Sequence, residues 1–272
     1  MGRTERSLIT LREASERLAA AGVASPEHDA RVLLRHAEAA GVDAEQLVAK
    51  RESRVPLQHL VGTAGFRYLD LEVGPGVFVP RPETEVVVEA VLGAIADLSQ
   101  PRVVDLCAGS GTIGLSVVHE HRGALVDLVE VSESAVEWMH RNLASLDETA
   151  RNRVRIHHAD LEVAPVDLDA QVDVVASNPP YVALHEREQV DPEVRDHDPG
   201  VALWAGADGL DVIRKVVDRA TVLLRPGGTL VVEHSDRQGE SVPEVFIAAG
   251  FVEVTDHLDL TERPRFTTGV WT

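Results

Sequence analysis

A short polar turn, Ser177-Asn178-Pro179-Pro180-Tyr181, carries the most specific chemistry in the chain. It closes the apolar run Val172-Asp173-Val174-Val175-Ala176, which reads as a buried strand ended by a rigid turn. The two prolines fix φ and lack N–H donors, so their carbonyls and the Asn178 amide can be held in one geometry. An aromatic ring, Tyr181, follows at once. The group is a polar clamp beside a stacking face, suited to a planar NH2-bearing group. A proline-rich turn that merely ends a strand accounts for the same residues equally well.

A second constellation lies upstream in Asp105-Leu106-Cys107-Ala108-Gly109-Ser110-Gly111-Thr112-Ile113-Gly114. Glycines between a strand and its helix allow close approach to the backbone and leave helix-start N–H groups pointing at a ligand. Gly109, Gly111 and Gly114 match the dinucleotide fingerprint spacing, a weak signal by itself. Glu130 ends the next strand, where it can accept both hydrogen bonds of a ribose diol. Asp160 follows the third strand, within reach of an adenine amino group. These residues describe an adenosine-type pocket at the C-terminal edge of a sheet, for a dinucleotide or for S-adenosylmethionine.

The elements that must position these residues alternate between apolar runs and helical patterns from Arg102 onward, which indicates an α/β sheet of mainly parallel strands. Strands are expected at 102–106, 124–129, 154–158, 172–177 and 229–233. Helices are expected at 113–118, 134–146, 208–224 and 240–249. Two final strands, 251–258 and 266–271, are expected antiparallel to each other. Upstream, residues Ser7 to Arg54 read as three helices, with stripes Leu8, Leu11, Ala14, Leu18 and Ala30, Leu33, Leu34, Ala37. Ser25-Pro26 is an N-cap candidate followed by proline. Glycine-broken alternation in 66–73 suggests a hairpin, and Glu83 to Ile95 a further helix. The expected domains are a helical unit over 1–54, a hairpin linker over 55–80, and the α/β domain over 81–272.

Composition narrows the function further. The chain has 272 residues, one cysteine and a formal charge of −19. Nucleic-acid binders usually carry a basic surface, so a long DNA or RNA substrate is disfavoured. A lone cysteine allows neither a disulfide framework nor a cysteine metal cluster. No apolar run approaches membrane-spanning length and no signal peptide opens the sequence, so a cytoplasmic protein is expected. The pairs His119/His121 and His157/His158 lack ligand-spaced partners and read as surface or helix-end residues, so no metal is expected.

With the Asn-Pro-Pro-Tyr tail on the fourth strand, the chain resembles amino-methyltransferases, which makes S-adenosylmethionine the expected cofactor and S-adenosylhomocysteine the product. More narrowly, it resembles the protein-(glutamine-N5) methyltransferases of peptide-chain release factors, the HemK/PrmC family. The resemblance runs over nearly the whole chain. It includes 54–62, Phe78-Val79-Pro80-Arg81-Pro82-Glu83-Thr84-Glu85, Asp198-Pro199, Gly206-Ala207-Asp208-Gly209-Leu210-Asp211 and Val232-Glu233-His234. It implies a class I, Rossmann-like methyltransferase sheet with a small N-terminal helical domain joined by a β-hairpin. That domain would recognise the release factor. The implied substrate is the glutamine of the Gly-Gly-Gln motif of class 1 release factors, and the implied enzyme is a monomer.

The resemblance also implies residue roles. Cys107, Ala108, Gly109, Ser110 and Gly111 would line the methionine part of the cofactor, with Asp105 also among the cofactor-binding residues. Glu130 would take the ribose, and Asp160 with Leu161 the adenine edge. Asn178, Pro179, Pro180 and Tyr181 would hold the substrate glutamine, with Arg81 beside them and Asn178 also touching the cofactor. Asn178, Pro179 and Tyr181 are the expected catalytic set, with no general base. The family's Gly-Thr-Gly-Thr-Gly loop appears here as Cys-Ala-Gly-Ser-Gly, and an aromatic after Asp160 is replaced by Leu161. Glu233 would either orient the substrate loop or touch substrate, and Cys107 reads as a packing residue. The charged stretches 186–188 and 195–198 read as a solvated loop placed where it could cover the substrate. A ribosomal-protein glutamine methyltransferase, a DNA adenine-N6 methyltransferase and a non-catalytic cofactor-binding partner of translation are the alternatives. The acidic balance argues against the DNA enzyme, and the intact clamp against the non-catalytic protein.

Overall fold

The computed structural model describes residues 9–272, so the expected helix start at Ser7 and the stripe position Leu8 lie outside the described residues. Four helices come first: α1 (Leu11–Ala20), α2 (Pro26–Ala40), α3 (Ala44–Glu52) and α4 (Leu57–Val61). Thr10 starts α1 with a capping box, its Oγ1 accepting from the Glu13 N–H at 3.2 Å while Glu13 accepts from the Thr10 N–H at 2.9 Å. Ser25 caps α2 by position alone, with no side-chain bond. Ala14, Leu18, Leu33 and Val48 form a small core of their own, and Leu57, Leu60 and Val61 pack on it. The α4 turn therefore sits in a stretch read from sequence as hairpin linker. Its five residues are too few to show a helical period.

The hairpin follows as β1 (Thr63–Phe66) and β2 (Leu69–Glu72), antiparallel in register Phe66 to Leu69. A 3₁₀ turn, Pro82–Thr84, leads into α5 (Glu85–Ile95). The α/β part then runs β3 (Arg102–Leu106), α6 (Thr112–Glu120), β4 (Leu125–Glu130), α7 (Glu133–Ser145), α8 (Glu148–Arg151), β5 (Val154–His158), β6 (Val172–Ser177), α9 (Pro192–His197), α10 (Asp211–Leu223), β7 (Leu224–Glu233), α11 (Ser241–Ala249), β8 (Val252–Leu258) and β9 (Pro264–Val270).

The seven strands are ordered β5-β4-β3-β6-β7-β9-β8. The first five are parallel, and β9 runs antiparallel to both β7 and β8. Consecutive strand residues feed opposite faces: Val103 joins the core under α5 and α6, while Val104 joins the one under α10 and α11. Burial on both faces explains why β3, β4 and β6 read as largely apolar runs, interrupted by Asp105, Asp127 and Asp173. Strand β7 begins earlier than expected, taking in Arg225-Pro226-Gly227-Gly228 across an irregular register opposite β6. A Cβ on Gly228 would stand 2.9 Å from the Arg225 carbonyl, so the irregularity is built around glycine.

The topology determines where a ligand can bind. The chain moves outward from β3 to β5 on one side, then restarts at β6 on the other. Adjacent strands leaving in opposite directions open a crevice at their carboxyl ends. The glycine loop after β3 and the Asn-Pro-Pro-Tyr turn after β6 both fall there.

Candidate active site

A cavity of about 430 Å³ occupies that crevice. Asp105, Cys107, Ala108, Gly109, Ser110, Glu130, Asp160, Leu161, Asn178, Pro179, Pro180, Tyr181 and Arg81 all line it. Gly111 does not. Its φ is +86°, and a Cβ there would stand 2.7 Å from Leu115 Cδ1, so glycine is required by the packing of α6 rather than by a ligand. At Gly109, φ is +57° with open space around a Cβ, which leaves its backbone exposed to the cavity.

The glycine loop is tied to the neighbouring strand by Glu130. Its Oε2 accepts from the Gly109 N–H at 2.9 Å and its Oε1 from the Ser132 N–H at 2.8 Å. Each carboxylate oxygen keeps lone pairs for a further donor, which suits a diol. Asp160 Oδ1 accepts from the Glu162 N–H at 2.9 Å, shaping the turn beyond β5. Asp105 Oδ2 accepts from the Gly114 N–H at 2.9 Å while Oδ1 has no partner among the described residues. Burial pushes the Asp105 carboxyl up to about 7; the Gly114 N–H opposes this and the charge of Glu130 adds to it.

Cys107 is the loop's unusual residue. It holds φ +60° with a side chain, in a region that favours glycine. Burial, with Glu130 and Asp105 nearby, pushes its thiol well above the usual range, which suits a packing residue better than a nucleophile.

At the clamp, Ser177 Oγ donates to the Leu106 carbonyl at 2.6 Å, locking the end of β6 to β3. Asn178 Nδ2 donates to Thr84 Oγ1 at 3.2 Å, and Asn178 Oδ1 takes no hydrogen bond among the described residues. The Tyr181 carbonyl accepts from Gln238 Nε2 at 3.2 Å, and burial pushes the Tyr181 hydroxyl pKa up. Arg81 lines the cavity but is engaged: its Nη2 lies 3.0 Å from Asp198 Oδ2, and its guanidinium stands 5.1 Å over the Phe78 ring. Burial raises Asp198 to about 6, against the pull of Arg81.

The stretch after the clamp differs from the expected solvated loop. Residues 184–189 and 200–202 are 3₁₀ turns flanking α9, and the excursion is pinned at both ends by Val182 N–H to the Leu203 carbonyl at 2.9 Å and Ala205 N–H to the Val182 carbonyl at 3.0 Å. Val194, Pro199, Val201 and Leu203 face the cavity. On the outer side, Arg51 of α3 and Arg54 just beyond it meet Glu193 at 2.7 and 2.9 Å. Of the charges read as solvated, Glu186 meets Arg237, Arg195 meets Asp196 and Asp198 meets Arg81; the link to the N-terminal helices is made by Glu193, between the two stretches.

Two further residues stand at the clamp, Glu233, expected to orient the substrate loop or touch substrate, and Thr84, which carries little signal in sequence. Thr84 is 2% exposed and was quoted only within its proline-bracketed segment. Glu233, at the end of β7, is also 2% exposed, with Oε2 unpartnered among the described residues. Burial pushes Glu233 up to about 7; Thr84, Arg265 and Tyr181 oppose the shift and Glu83 adds to it.

S-adenosylmethionine fits these groups. Five carboxylates line the cavity against three cationic side chains, an excess suited to a sulfonium. Glu130 offers a diol two oxygens at the β4 end, and the open backbone at Gly109 permits close approach.

Comparison with known proteins bears on the same residues. A family model described as the PrmC N-terminal domain matches residues 10–40, and another, described as conserved hypothetical protein 95, matches residues 60–195. The release factor glutamine methyltransferase of Streptomyces coelicolor is 48% identical, with 96% of each chain covered. Those of Bifidobacterium longum and Mycobacterium tuberculosis are 43% and 38% identical, covering 95% and 96% of this chain and 98% and 92% of theirs. Among solved structures, the hMettl16 catalytic domain in complex with MAT2A 3'UTR hairpin 6 aligns with a TM-score of 0.60 at 14% identity, over 83% of this chain and 81% of its own. The Thermus thermophilus 16S rRNA N2 G1207 methyltransferase RsmC, in complex with AdoMet and guanosine, aligns with a TM-score of 0.54 at 19% identity, over 77% and 50%. At such identities the two structures speak for the class I methyltransferase fold alone.

Proposed function

This chain belongs to the release factor glutamine methyltransferase family, and on that premise we propose that it methylates the Gly-Gly-Gln glutamine of class 1 release factors on side-chain nitrogen N5. Its activity is transfer of a methyl group from S-adenosylmethionine to a release-factor glutamine. The observation that carries the finer reading is the Asn178 amide, whose nitrogen is tied back to Thr84 while its oxygen is left without a partner beside the Pro179 carbonyl.

When bound, the cofactor supplies an electrophilic methyl group on sulfur. Glu130 holds the ribose, Asp160 and Leu161 the adenine edge, and Cys107, Ala108, Gly109 and Ser110 the methionine part. An amide nitrogen is a weak nucleophile because its lone pair is delocalised into the carbonyl. Asn178 Oδ1 and the Pro179 carbonyl accept its two hydrogens and hold the nitrogen in one orientation, while Tyr181 packs on the amide plane. Such orientation contributes roughly 7–11 kcal/mol in well-aligned reactions. Arg81 keeps Asp198 and the roof segment in place beside the substrate.

The helical unit of residues 1–54 is proposed as the release-factor recognition part, joined through the hairpin of 55–80 to the methyltransferase domain of 81–272. Its separate apolar core supports a distinct helical unit, although α4, within 55–80, also packs on that core. The reading brings with it a monomeric, cytoplasmic enzyme with no long nucleic-acid substrate. The charge of −19 supports the last of these. No helix among the described residues is long and apolar enough to cross a membrane. Mass spectrometry of purified release factor and ribosomal protein after incubation with enzyme and cofactor tests the reading. A gain of one CH2 on the Gly-Gly-Gln glutamine alone is expected; modification of the ribosomal protein instead would overturn it.

A further inference from the structure

We propose that Thr84 and Glu233 are positioning residues for methyl transfer, forming a hydrogen-bond relay that determines which way the Asn178 amide faces. The inference rests on the clamp reading of Asn178.

An asparagine amide presents almost the same shape when its oxygen and nitrogen are exchanged, but only one orientation turns an acceptor toward a substrate NH2. Something must choose between them. Asn178 Nδ2 donates to Thr84 Oγ1 at 3.2 Å. A hydroxyl can either donate or accept, so Thr84 alone makes no choice. Glu233 does. Val232 stands opposite Ser177 in the β6–β7 register, so the next residues, Glu233 and Asn178, leave the sheet side by side. Glu233 is 2% exposed, lines the same cavity, and has an oxygen without a partner among the described residues. Once ionised, the Glu233 carboxylate only accepts, so Thr84, its hydrogen-bond neighbour, turns its proton there. The Thr84 lone pairs are then left for the Asn178 NH2, which turns Oδ1 toward the substrate. Three residues, from the 3₁₀ turn, the turn after β6 and the end of β7, make one relay: Asn178 donates to Thr84, and Thr84 to Glu233.

Burial raises the Glu233 carboxyl to about 7, so the relay is set as pH rises past that value; Thr84, Arg265 from β9 and the Tyr181 hydroxyl pull toward the ionised form, and Glu83 beside Thr84 pulls against it. If Glu233 carried a proton or an NH2 group, it could donate to Thr84, Thr84 would donate onward, and the Asn178 amide would turn over. Glu233→Gln should therefore resemble loss of the clamp, although it conserves size and shape.

The test uses the full chain with release factor and S-adenosylmethionine, measuring kcat and cofactor Kd. Thr84→Val and Glu233→Gln are each expected to lower kcat about 10- to 100-fold, as for misorientation of a reacting group, with Kd changed less than about 2-fold. Thr84→Ser, which restores the hydroxyl, should stay within about 3-fold of the parent kcat. The double variant Thr84→Val/Glu233→Gln should be about as slow as Thr84→Val alone, because members of one relay are not additive. Near-parent kcat in Glu233→Gln, or losses that multiply in the double variant, would overturn the relay. Should Thr84→Val not fold, Glu233→Gln against Thr84→Ser still decides. Failure of the clamp itself shows separately, as undiminished turnover in Asn178→Ala.

Discussion

Arg51 Nη2 lies 2.7 Å from Glu193 Oε1, joining residues 142 positions apart in sequence. Arg51 is 4% exposed, and its Nε also meets Asp29 at 2.8 Å. Glu193 belongs to α9, whose Val194 faces the cavity. One guanidinium thus ties the N-terminal helices to the roof of the active site.

Replacing Arg51 by Ala leaves Asp29 buried without a counter-charge, a change that typically costs about 3–5 kcal/mol. Urea unfolding followed by circular dichroism should show a loss of that order. Limited proteolysis should also cut within 184–203 faster, since Glu193 loses an anchor. A midpoint unmoved from the parent would contradict the assignment.

Glu130 makes two backbone hydrogen bonds while facing the cavity. Hydrogen bonds to charged groups contribute about 1.5–3 kcal/mol, so Glu130→Ala should weaken S-adenosylmethionine about 10- to 100-fold. Calorimetry measures it, and unchanged affinity removes Glu130 from the site.

Asn178→Ala is expected to separate binding from turnover in the opposite sense. The clamp loses its side-chain acceptor, while Glu130 and the glycine loop are untouched. Methyl transfer should fall by about 100-fold or more, as when a preorganised polar group is removed. Cofactor affinity should hold within about 3-fold by the same calorimetric measurement. Near-normal kcat would dismiss the clamp.

Cys107 adopts φ +60° with its side chain against the apolar core under α10. Glycine would relieve about 1 kcal/mol of left-handed strain but lose contacts and add chain entropy. Cys107→Gly should therefore leave stability within about 1 kcal/mol. Cys107→Val should cost about 2 kcal/mol or more, because a β-branched residue is a genuine outlier there. Equal thermal midpoints for the two variants would refute the role of φ.

Glu233 gives stability a pH dependence of known sign. Its folded pKa, about 7, lies above the ordinary 4.5, so the folded state binds this proton more tightly. The contribution is fully present below the unfolded value and is lost as pH rises through the folded one. Asp105, raised from 3.8 to about 7, acts in the same direction. Urea stability should therefore decline by roughly 1–3 kcal/mol per group between about pH 5 and pH 8. Glu233→Gln should flatten part of that decline, becoming more stable than the parent at about pH 8 while slower in turnover. A Glu233→Gln profile parallel to the parent's would reject the assignment.

The central parallel strands were legible because burial on both faces leaves largely apolar runs such as Val172–Ala176, bounded by turns. Short elements were not. The α4 turn, α8 and the turns of 184–202 hold too few residues to display a period, and they form where tertiary contacts hold them. Gly111 was read as a ligand position because spacing cannot tell a glycine that faces a cavity from one that faces Leu115.

The sequence by itself determined the chemistry available at Asn178-Pro179-Pro180-Tyr181. Two prolines and an asparagine on a strand end are local features, legible wherever the strand ends up. What only the tertiary structure decided is which atom of Asn178 faces the substrate. In the proposed relay that choice depends on Thr84 and Glu233, 94 and 55 positions away, and on whether the Glu233 carboxyl, raised to about 7 by burial, is ionised. Hydrogen-bond direction is a property of neighbours in space. No spacing in the chain encodes it.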